Sequence, residues 1–369
     1  MNMIKKSPDK PFYGLVIALA AGGMMILASA SMALAEWNSG YAGYYVMRQF
    51  AYGGSLGLIG FFVAQYIPYR FWRRAALPLL VGALVLMALV FIPDFGLSAK
   101  GATRWLRFGS LVFQPAEIMK LAFVLYLASW LDARRKDVSS VSYGTIPFTI
   151  MLGIVSIFLI MQRDIGTLGI IVVSSCILYY LGGARAPHLA MLFILGAMLL
   201  FLIIQFGSSY RSERLRVFLD PAHDPQGTGY QINQAFIAIG SGGIAGRGFG
   251  LGVQKYTYLP EPMGDSIFAI FAEETGFIGA CMLIALFLAF IWRGFLIAKR
   301  APDVFGKLLA GGIIIGITTQ AFVNMAAISG LLPLTGVPLP FVSYGSTSLA
   351  ITLASTGILL NISKRPTAQ

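Results

Sequence analysis

The sequence predicts an all-α integral membrane protein that crosses the bilayer ten times. Of its 369 residues, 57% are hydrophobic and only 11% are charged, whereas soluble domains are typically about 45–50% apolar and about 25% charged. Apolar runs long enough to cross about 30 Å of hydrocarbon recur along the chain. A soluble enzyme, a disordered chain and a collagen-like fibre are excluded, because a soluble protein of this length still needs a polar surface.

The ten predicted helices form a single membrane domain over residues 1–369. They lie at about 12–35, 45–67, 75–92, 112–131, 143–161, 165–183, 187–206, 266–292, 306–328 and 341–362. The first follows Lys5, Lys6 and Lys10 and could instead be a signal peptide. However, the stretch Pro11–Ala35 is free of charge over 25 residues, whereas a signal h-region is about 7–15 residues long. We therefore expect a retained span.

The distribution of basic residues orients these helices. With the N-terminus in the cytoplasm, every cytoplasmic segment carries at least one Lys or Arg, as the positive-inside rule expects. Both termini are then cytoplasmic, and the cytoplasmic segments account for the whole net charge of +12. The basic composition therefore gives no indication of nucleic-acid binding, and none is expected.

One connection is much longer than the others. Residues 207–264 form a predicted extracytoplasmic loop between the seventh and eighth helices, rich in Gly and polar residues. Loops of this length are usually functional or disordered. Because the loop contains Tyr210, Tyr230, Phe236 and Ile237, we expect it to be ordered and partly folded onto the membrane surface.

Ionisable residues within membrane spans are costly and usually mark function. Glu117 and Lys120 are three residues apart in the fourth helix and share one face. They form either the wall of a polar cavity or a structural ion pair. Asp164 opens the sixth helix, where it would serve as an N-cap or as a functional carboxylate.

Asp265 lies where the long loop meets the eighth helix, after Glu261 and Gly264. One interpretation is a helix N-cap, whose ionised form the helix dipole favours; the other is a general base at the edge of an apolar groove. Spacing alone favours the N-cap. Glu273 and Glu274 follow about 12 Å or more along the same helix, too far to form a catalytic carboxylate pair with Asp265. We expect them to pack helices or line a cavity.

The proline-rich connection before the last helix is predicted to cap or partly re-enter the outer membrane face, where protein must cover its backbone. It is followed by Ser343. Basic residues on the outer side could clamp phosphate, although each alone would equally serve as a solvated or lipid-headgroup contact.

Several motifs together resemble the SEDS (shape, elongation, division and sporulation) family of bacterial membrane proteins. They occur in family order along nearly the whole chain, at residues 29–32, 101–105, 114–121, 164–167, 227–231, 254–261, 265–268, 273–274 and 340–345. Residues 29–32 and 254–261 favour the cell-division, FtsW-like branch. Two positions depart from the family pattern: Met263-Gly264 replaces the usual His-Thr, and Gln162-Arg163 replaces the frequent Gln-Pro. The first departure puts a hydrogen-bonding role of that His in doubt.

The resemblance implies a glycosyltransferase that polymerises lipid II, the undecaprenyl-pyrophosphate-linked disaccharide peptide, into β-1,4 glycan strands outside the cytoplasmic membrane. It implies a class B penicillin-binding protein transpeptidase and other division proteins as partners at the septum. It carries the family's essential aspartate onto Asp265, which reverses the preference for a mere N-cap.

Such a reaction inverts the anomeric carbon, so it needs one base and a cation for the departing pyrophosphate. Candidate pyrophosphate contacts are Arg104, Lys120, Arg214, Arg216 and Lys255. A divalent cation, Mg²⁺ or Mn²⁺, is a further candidate, and no organic cofactor is expected. Two alternatives stay open: a lipid II flippase or transporter whose path is lined by Glu117, Lys120, Glu273 and Glu274, and a non-catalytic scaffold that recruits a transpeptidase.

Overall fold

The computed structural model describes residues 7–99, 102–109, 111–205, 216–220, 224, 227, 229–256 and 258–364. This part of the chain is predominantly helical. Its helices are α1 (Lys10–Ser39), α2 (Tyr44–Arg48), α3 (Ser55–Tyr66), α4 (Tyr69–Leu89), α5 (Pro115–Ala133), α6 (Ile146–Met161), α7 (Ile165–Leu181), α8 (Ala186–Gln205), α9 (Tyr230–Gly242), α10 (Ile267–Arg300), α11 (Val304–Ile328) and α12 (Ser346–Ser363).

Helical structure is present at each of the ten predicted segments. Within the described ranges, six helices are long and apolar enough to cross a membrane: α1, α4, α6 with the π-helical turn before it, α10, α11 and α12. The apolar helix α7 and the first part of α8 are shorter. The protein is thus a multi-pass helical membrane protein, while the number and direction of the crossings stay predictions.

The core of the molecule lies around α11 and α12. In the most apolar 18-residue window of α11, 78% of the residues are buried inside the protein, against 22% for α4. Exposed apolar side chains such as Phe62, Val81 and Phe277 cover the outer helices. An apolar outer surface of this kind is stable against lipid rather than water.

The second predicted helix is interrupted rather than continuous. Between α2 and α3, residues Gln49–Gly54 form a π-helical turn, a local widening that often occurs at functional sites. Gly53 and Gly57 let this region approach α12 closely, since a Cβ on Gly53 would lie 2.8 Å from Ser346 Cα. The buried amide of Gln49 donates to Ser343 O at 3.3 Å and accepts from Gly345 N at 3.1 Å.

A small antiparallel sheet corrects the all-α prediction. Its strands, β1 (Gly96–Ala99), β2 (Ala102–Phe108) and β3 (Leu111–Phe113), pair in the order β1-β2-β3. The sequence did not reveal them because they are short and directly follow the apolar residues of α4. β2 carries Arg104 to the turn between α6 and α7, where it donates to Gln162 O at 3.3 Å.

The eighth predicted helix is longer than expected and is broken. α10 extends to Arg300, and Gly276 interrupts it with φ 68° and ψ −165°, a left-handed conformation that favours glycine. The segment 243–248 enters the break, where Phe277 N donates to Gly243 O at 2.9 Å and Arg247 N donates to Glu273 O at 3.0 Å. These bonds satisfy backbone groups that the break would otherwise leave unpaired.

Candidate functional site

Asp265 lies one residue before the N-cap position of α10. The helix begins at Ile267 and its N-cap residue is Ser266, so the prediction that Asp265 itself occupies the N-cap was wrong by one residue. The physical reason is the preceding turn, in which Gly264 N and Ser266 N both donate to Glu261 O, at 3.0 and 3.3 Å. The side chain of Asp265 is half-buried.

The turn 260–265 is held from the loop before α12. Ser343 Oγ donates to Gly264 O at 2.6 Å, and Tyr344 N donates to Met263 O at 2.8 Å. Glu261 is exposed and adopts φ 52°, so it forms the bend of the turn. Ser343 therefore supports the backbone next to Asp265.

Two side-chain amides contact Asp265, and neither was among the predicted site residues. Gln231 Nε2, on α9, donates to Asp265 Oδ1 at 3.3 Å. Asn324 Nδ2, on α11, donates to Asp265 O and to Val337 O, both at 2.8 Å. Signals existed in the sequence: Gln231 belongs to the 227–231 motif, and Asn324 is a polar residue in the part of α11 after Lys307, which carries no charge.

The segment 335–337 connects the surroundings of Asp265 to the start of α7. A Cβ on Gly336 would lie 3.6 Å from Asp265 Oδ2, and a Cβ on Gly166 would lie 2.6 Å from Thr335 O. The absence of a side chain at Gly166 therefore allows this segment to pack tightly on α7, whereas glycine at 336 is favoured by its φ of 69°.

The N-cap interpretation of Asp164 is confirmed. Its buried carboxylate accepts from Thr167 N at 3.3 Å in the first turn of α7. Gln114 Nε2 donates to the same carboxylate at 3.1 Å, and Arg104 Nη1 lies 3.8 Å away. Arg104 also donates to the carbonyl oxygen of Arg163, so its guanidinium is held on the α6–α7 turn.

Glu117 and Lys120 form an ion pair that also lines a cavity, so the structure combines both interpretations. Lys120 Nζ lies 2.8 Å from Glu117 Oε1 and donates to Gln320 Oε1. Gln320 Nε2 in turn donates to Pro338 O at 2.8 Å. The cavity is bounded by α5, α7, α11 and α12, and its other polar lining residues are Ser174, Ser175, Thr352 and Ser355.

The prediction that Lys255 contacts pyrophosphate is wrong, because Lys255 does not lie at the surface. Its side chain is fully buried, with Nζ 2.7 Å from Glu274 Oε1, 2.7 Å from Gly250 O and 3.1 Å from Ser29 Oγ. The prediction overlooked Glu274 and Ser29 because the fold brings them to Lys255 from distant parts of the chain. Arg216 is exposed in a helical turn at 216–219, whereas Arg214 lies outside the described residues.

Glu273 and Glu274 serve in packing, and neither forms a pair with Asp265. Glu273 accepts from Val253 N at 2.9 Å and from Gln254 N at 3.1 Å. Glu274 accepts from Ser29 Oγ at 2.6 Å. Asp265 is thus the half-buried carboxylate of a turn held by neighbouring elements, and the other carboxylate of that turn, Glu261, is exposed. This arrangement suits a single-base reaction.

These features define a multi-pass helical membrane protein with one carboxylate held at the start of a broken helix. Residues 11–368 match the family model described as "Cell cycle protein" for FtsW, RodA and SpoVE. The chain belongs to this family, which confirms the resemblance that its motifs indicated.

Curated relatives match along nearly their whole length. The chain is 40% identical over 359 residues to a Geobacter sulfurreducens protein named "Probable peptidoglycan glycosyltransferase FtsW", covering 95% of this chain and 94% of the relative. It is 39% identical over 368 residues to "Stage V sporulation protein E" of Bacillus subtilis, covering 99% of each.

Two solved structures share the fold. One, with a TM-score of 0.80 and 28% identity, covers 96% of this chain and 97% of its own, and is described as "Structural coordination of polymerization and crosslinking by a peptidoglycan synthase complex". The other is the rod shape determining protein RodA of Thermus thermophilus, with a TM-score of 0.72, 26% identity and 98% of each chain covered.

Proposed function

We propose that this protein is a peptidoglycan glycosyltransferase that polymerises lipid II into β-1,4 glycan strands during bacterial cell division. The names of its curated relatives support the reaction class. The observation within the structure that carries the proposal is the Asp265 turn. Its carboxylate is half-buried, and α9, α11 and the loop before α12 all bond to the turn or its carboxylate.

The proposal includes a membrane arrangement. The single domain 1–369 crosses the bacterial cytoplasmic membrane ten times, with both termini in the cytoplasm and residues 207–264 outside. The positive-inside distribution of Lys and Arg supports this orientation. Asp265 then lies at the outer face, where the sugars of lipid II are accessible. The proposed location within the cell is the division septum.

The proposed partners are a class B penicillin-binding protein transpeptidase and other division proteins of the membrane. A solved structure of similar fold is described as part of a complex that polymerises and crosslinks peptidoglycan, which supports a transpeptidase as partner. The alternative of a pure scaffold predicts no glycan product even with that partner present.

In the proposed reaction, the acceptor sugar hydroxyl attacks the anomeric carbon of the donor. The bond from that carbon to the phosphate oxygen breaks, and the anomeric configuration inverts. Asp265 accepts the hydroxyl proton, and lipid-linked pyrophosphate leaves with the bonding electrons. One positioned base is sufficient, which agrees with the involvement of Glu273 and Glu274 in packing elsewhere.

Positive charge is needed where the pyrophosphate departs. The remaining candidates are Arg104, Lys120, Arg214 and Arg216. Lys255 is no longer a candidate, because its side chain is fully buried and paired with Glu274. Among the residues that the structure describes, no group of three or more His, Cys, Asp or Glu could hold a metal ion. Because Mg²⁺ often takes most of its ligands from substrate phosphates and water, a divalent cation would be held chiefly by the pyrophosphate and would neutralise the leaving group, while Asp265 serves as the base.

The test is an assay with purified protein and lipid II, with and without the transpeptidase, followed by analysis of glycan strands. We expect Asp265→Asn to abolish polymerisation while the protein stays folded, because the amide cannot accept the proton. Asp132→Asn is the matched control. Asp132 lies at the end of α5 and its carboxylate pairs with Arg73 Nη1, with 2.9 Å between the two atoms, so it takes no part in the Asp265 turn. Full polymerisation by purified Asp265→Asn or Asp265→Ala would refute the role of Asp265.

The cavity at Lys120 favours one second candidate, a lipid II flippase or transporter. Charged and hydroxyl side chains within apolar helices are features of transport paths. That function predicts movement of labelled lipid II across liposome membranes without glycan product. Product formation in detergent, where no membrane separates two compartments, supports the transferase instead.

A further inference from the structure

Gln231 contacts the carboxylate of the proposed base directly. Its Nε2 donates to Asp265 Oδ1 at 3.3 Å and to Ser266 Oγ at 3.0 Å. Ser266 Oγ donates its own proton to Pro260 O at 2.8 Å, so that hydroxyl is oriented to accept from Gln231. The Gln231 amide therefore links α9 to the carboxylate and to the N-cap of α10.

We propose that Gln231 is a positioning residue for glycosyl transfer, which holds the Asp265 carboxylate through Oδ1, and that α9 and segment 243–248 are its rigid support. The inference rests on the proposed function, since it assumes that Asp265 is the base. It assigns a role in the reaction to the long connection between α8 and α10.

The chemistry of an amide suits this task. A Lys or Arg beside a carboxylate strongly favours its ionised form and so weakens it as a base. A neutral amide orients the carboxylate through a hydrogen bond and adds no net charge. Gln231 thus fixes the direction of Asp265 while leaving it able to accept a proton.

The sequence of α9 brings Gln231 close to α10. Residues 231, 235, 238 and 242 are spaced by four, three and four, so they lie on one face of the helix. Ala235, Ala238 and Gly242 are buried on that face. A Cβ on Gly242 would clash with Ala272 O. Small residues therefore allow α9 to pack tightly on α10 with Gln231 at the end nearest Asp265.

The C-terminal end of α9 is fixed to the break in α10. Gly248 N donates to Glu274 O at 3.0 Å and Ile278 N donates to Ile244 O at 3.2 Å, in addition to the two backbone bonds at Gly243 and Arg247. Gly246, with φ 82°, packs against the backbone of Glu274. Because both ends of α9 are attached to α10, Gln231 is held in register with Asp265.

The experiment compares Gln231→Leu, Gln231→Glu and Gln231→Asn in the full chain with its transpeptidase and lipid II. We expect Gln231→Leu to lower kcat about 10- to 100-fold with little change in KM, because a misoriented reacting group costs rate at this scale. Gln231→Glu keeps the size of the side chain but places a second negative charge at Asp265, so we expect at least as large a loss. The shorter Gln231→Asn retains a donor and should recover part of the rate.

Ser241→Ala is the matched control on the same helix, because Ser241 Oγ donates within α9, to Ala238 O at 3.0 Å. It should leave kcat, KM and the melting temperature unchanged. A second variant, Gly246→Ala, tests the support: it strains a left-handed residue and should lower kcat in the same way. Combined with Gln231→Leu, it should cost little further, because both changes release the same carboxylate.

Three results would overturn the inference while the proposed function stands. They are wild-type kcat in both Gln231→Leu and Gln231→Glu, a loss expressed only as a higher KM, and a loss explained by a lower folded fraction in all three variants. Absence of glycan product from the wild-type protein, or full activity of Asp265→Asn, would instead overturn the proposed function and this inference with it.

Discussion

Two lysine–glutamate ion pairs among the described residues lie inside the helical bundle but differ in their surroundings. Lys255 is fully buried and has three oxygen partners, one each from Glu274, Ser29 and Gly250. The side chain of Lys120 is 16% exposed, and it shares a cavity wall with Glu117. Both pairs join a cation to a carboxylate over similar distances, 2.7 and 2.8 Å.

The difference indicates separate tasks. The polar contacts of Lys255 join α1, α10 and the connection before α10, so we assign this pair a structural role. We call Lys255, Glu274 and Ser29 the fastener. Lys120 faces a space that water or a substrate group could enter, and it is joined through Gln320 to the carbonyl of Pro338 near Asp265. We therefore expect two ion pairs of similar length to differ in purpose, because a cavity adjoins the Lys120 pair and the Lys255 pair is fully enclosed.

The largest expected effect is on the fastener. Lys255→Met leaves Glu274 as a buried, uncompensated charge, which typically costs about 3–5 kcal/mol. We expect a large loss of folded protein, measured by thermal unfolding and size-exclusion chromatography in detergent. The double variant Lys255→Met/Glu274→Gln removes the charge as well and should recover much of the stability. Equal stability of Lys255→Met and wild type would contradict the fastener assignment.

Lys120→Met is expected to have a smaller effect on stability. Glu117 lines a cavity with room for water, so we expect destabilisation of about 1–3 kcal/mol and a larger relative effect on lipid II polymerisation. Thermal unfolding and the kcat and KM for lipid II measure the two effects. Ile313→Val is the control, since it changes the apolar wall of the same cavity by one methylene. If Lys120→Met lowers the stability of the protein as much as Lys255→Met does, both pairs have a structural role and the distinction between them is wrong.

The same contrast shows what could be predicted from the sequence. Glu117 and Lys120 are three residues apart on one helix, so their pairing follows from helical geometry alone. Ser29 and Lys255 are separated by 226 residues, and only the packing of α1 against α10 brings them together. Lys255 therefore looked like an outer cation in the sequence, although it is buried.

The position of Asp265 shows the same limit at shorter range. Its place at the start of a helix was predictable from Pro260, Pro262 and Gly264, which precede it. The shift of the N-cap to Ser266 depends on bonds to Glu261 O, and the contacts from Gln231 and Asn324 come from other helices. Likewise the predicted helix 266–292 runs through Gly276 without a break, because the left-handed backbone at Gly276 is stabilised by segment 243–248, which comes from elsewhere in the chain.

The smallest expected effect concerns Arg247, which pairs with Glu273, the neighbour of Glu274 in the chain. Its half-exposed side chain lies 3.7 Å from Glu273 Oε1, and exposed ion pairs contribute only about 0–1 kcal/mol. Glu273 keeps the two backbone donors of Val253 and Gln254, so Arg247→Ala should lower the free energy of unfolding by less than about 1 kcal/mol. Denaturant unfolding at low and high salt measures this, with any effect fading at high salt. A salt-independent loss as large as that of Lys255→Met would show that the fastener extends to the protein surface, because only a desolvated charge resists screening.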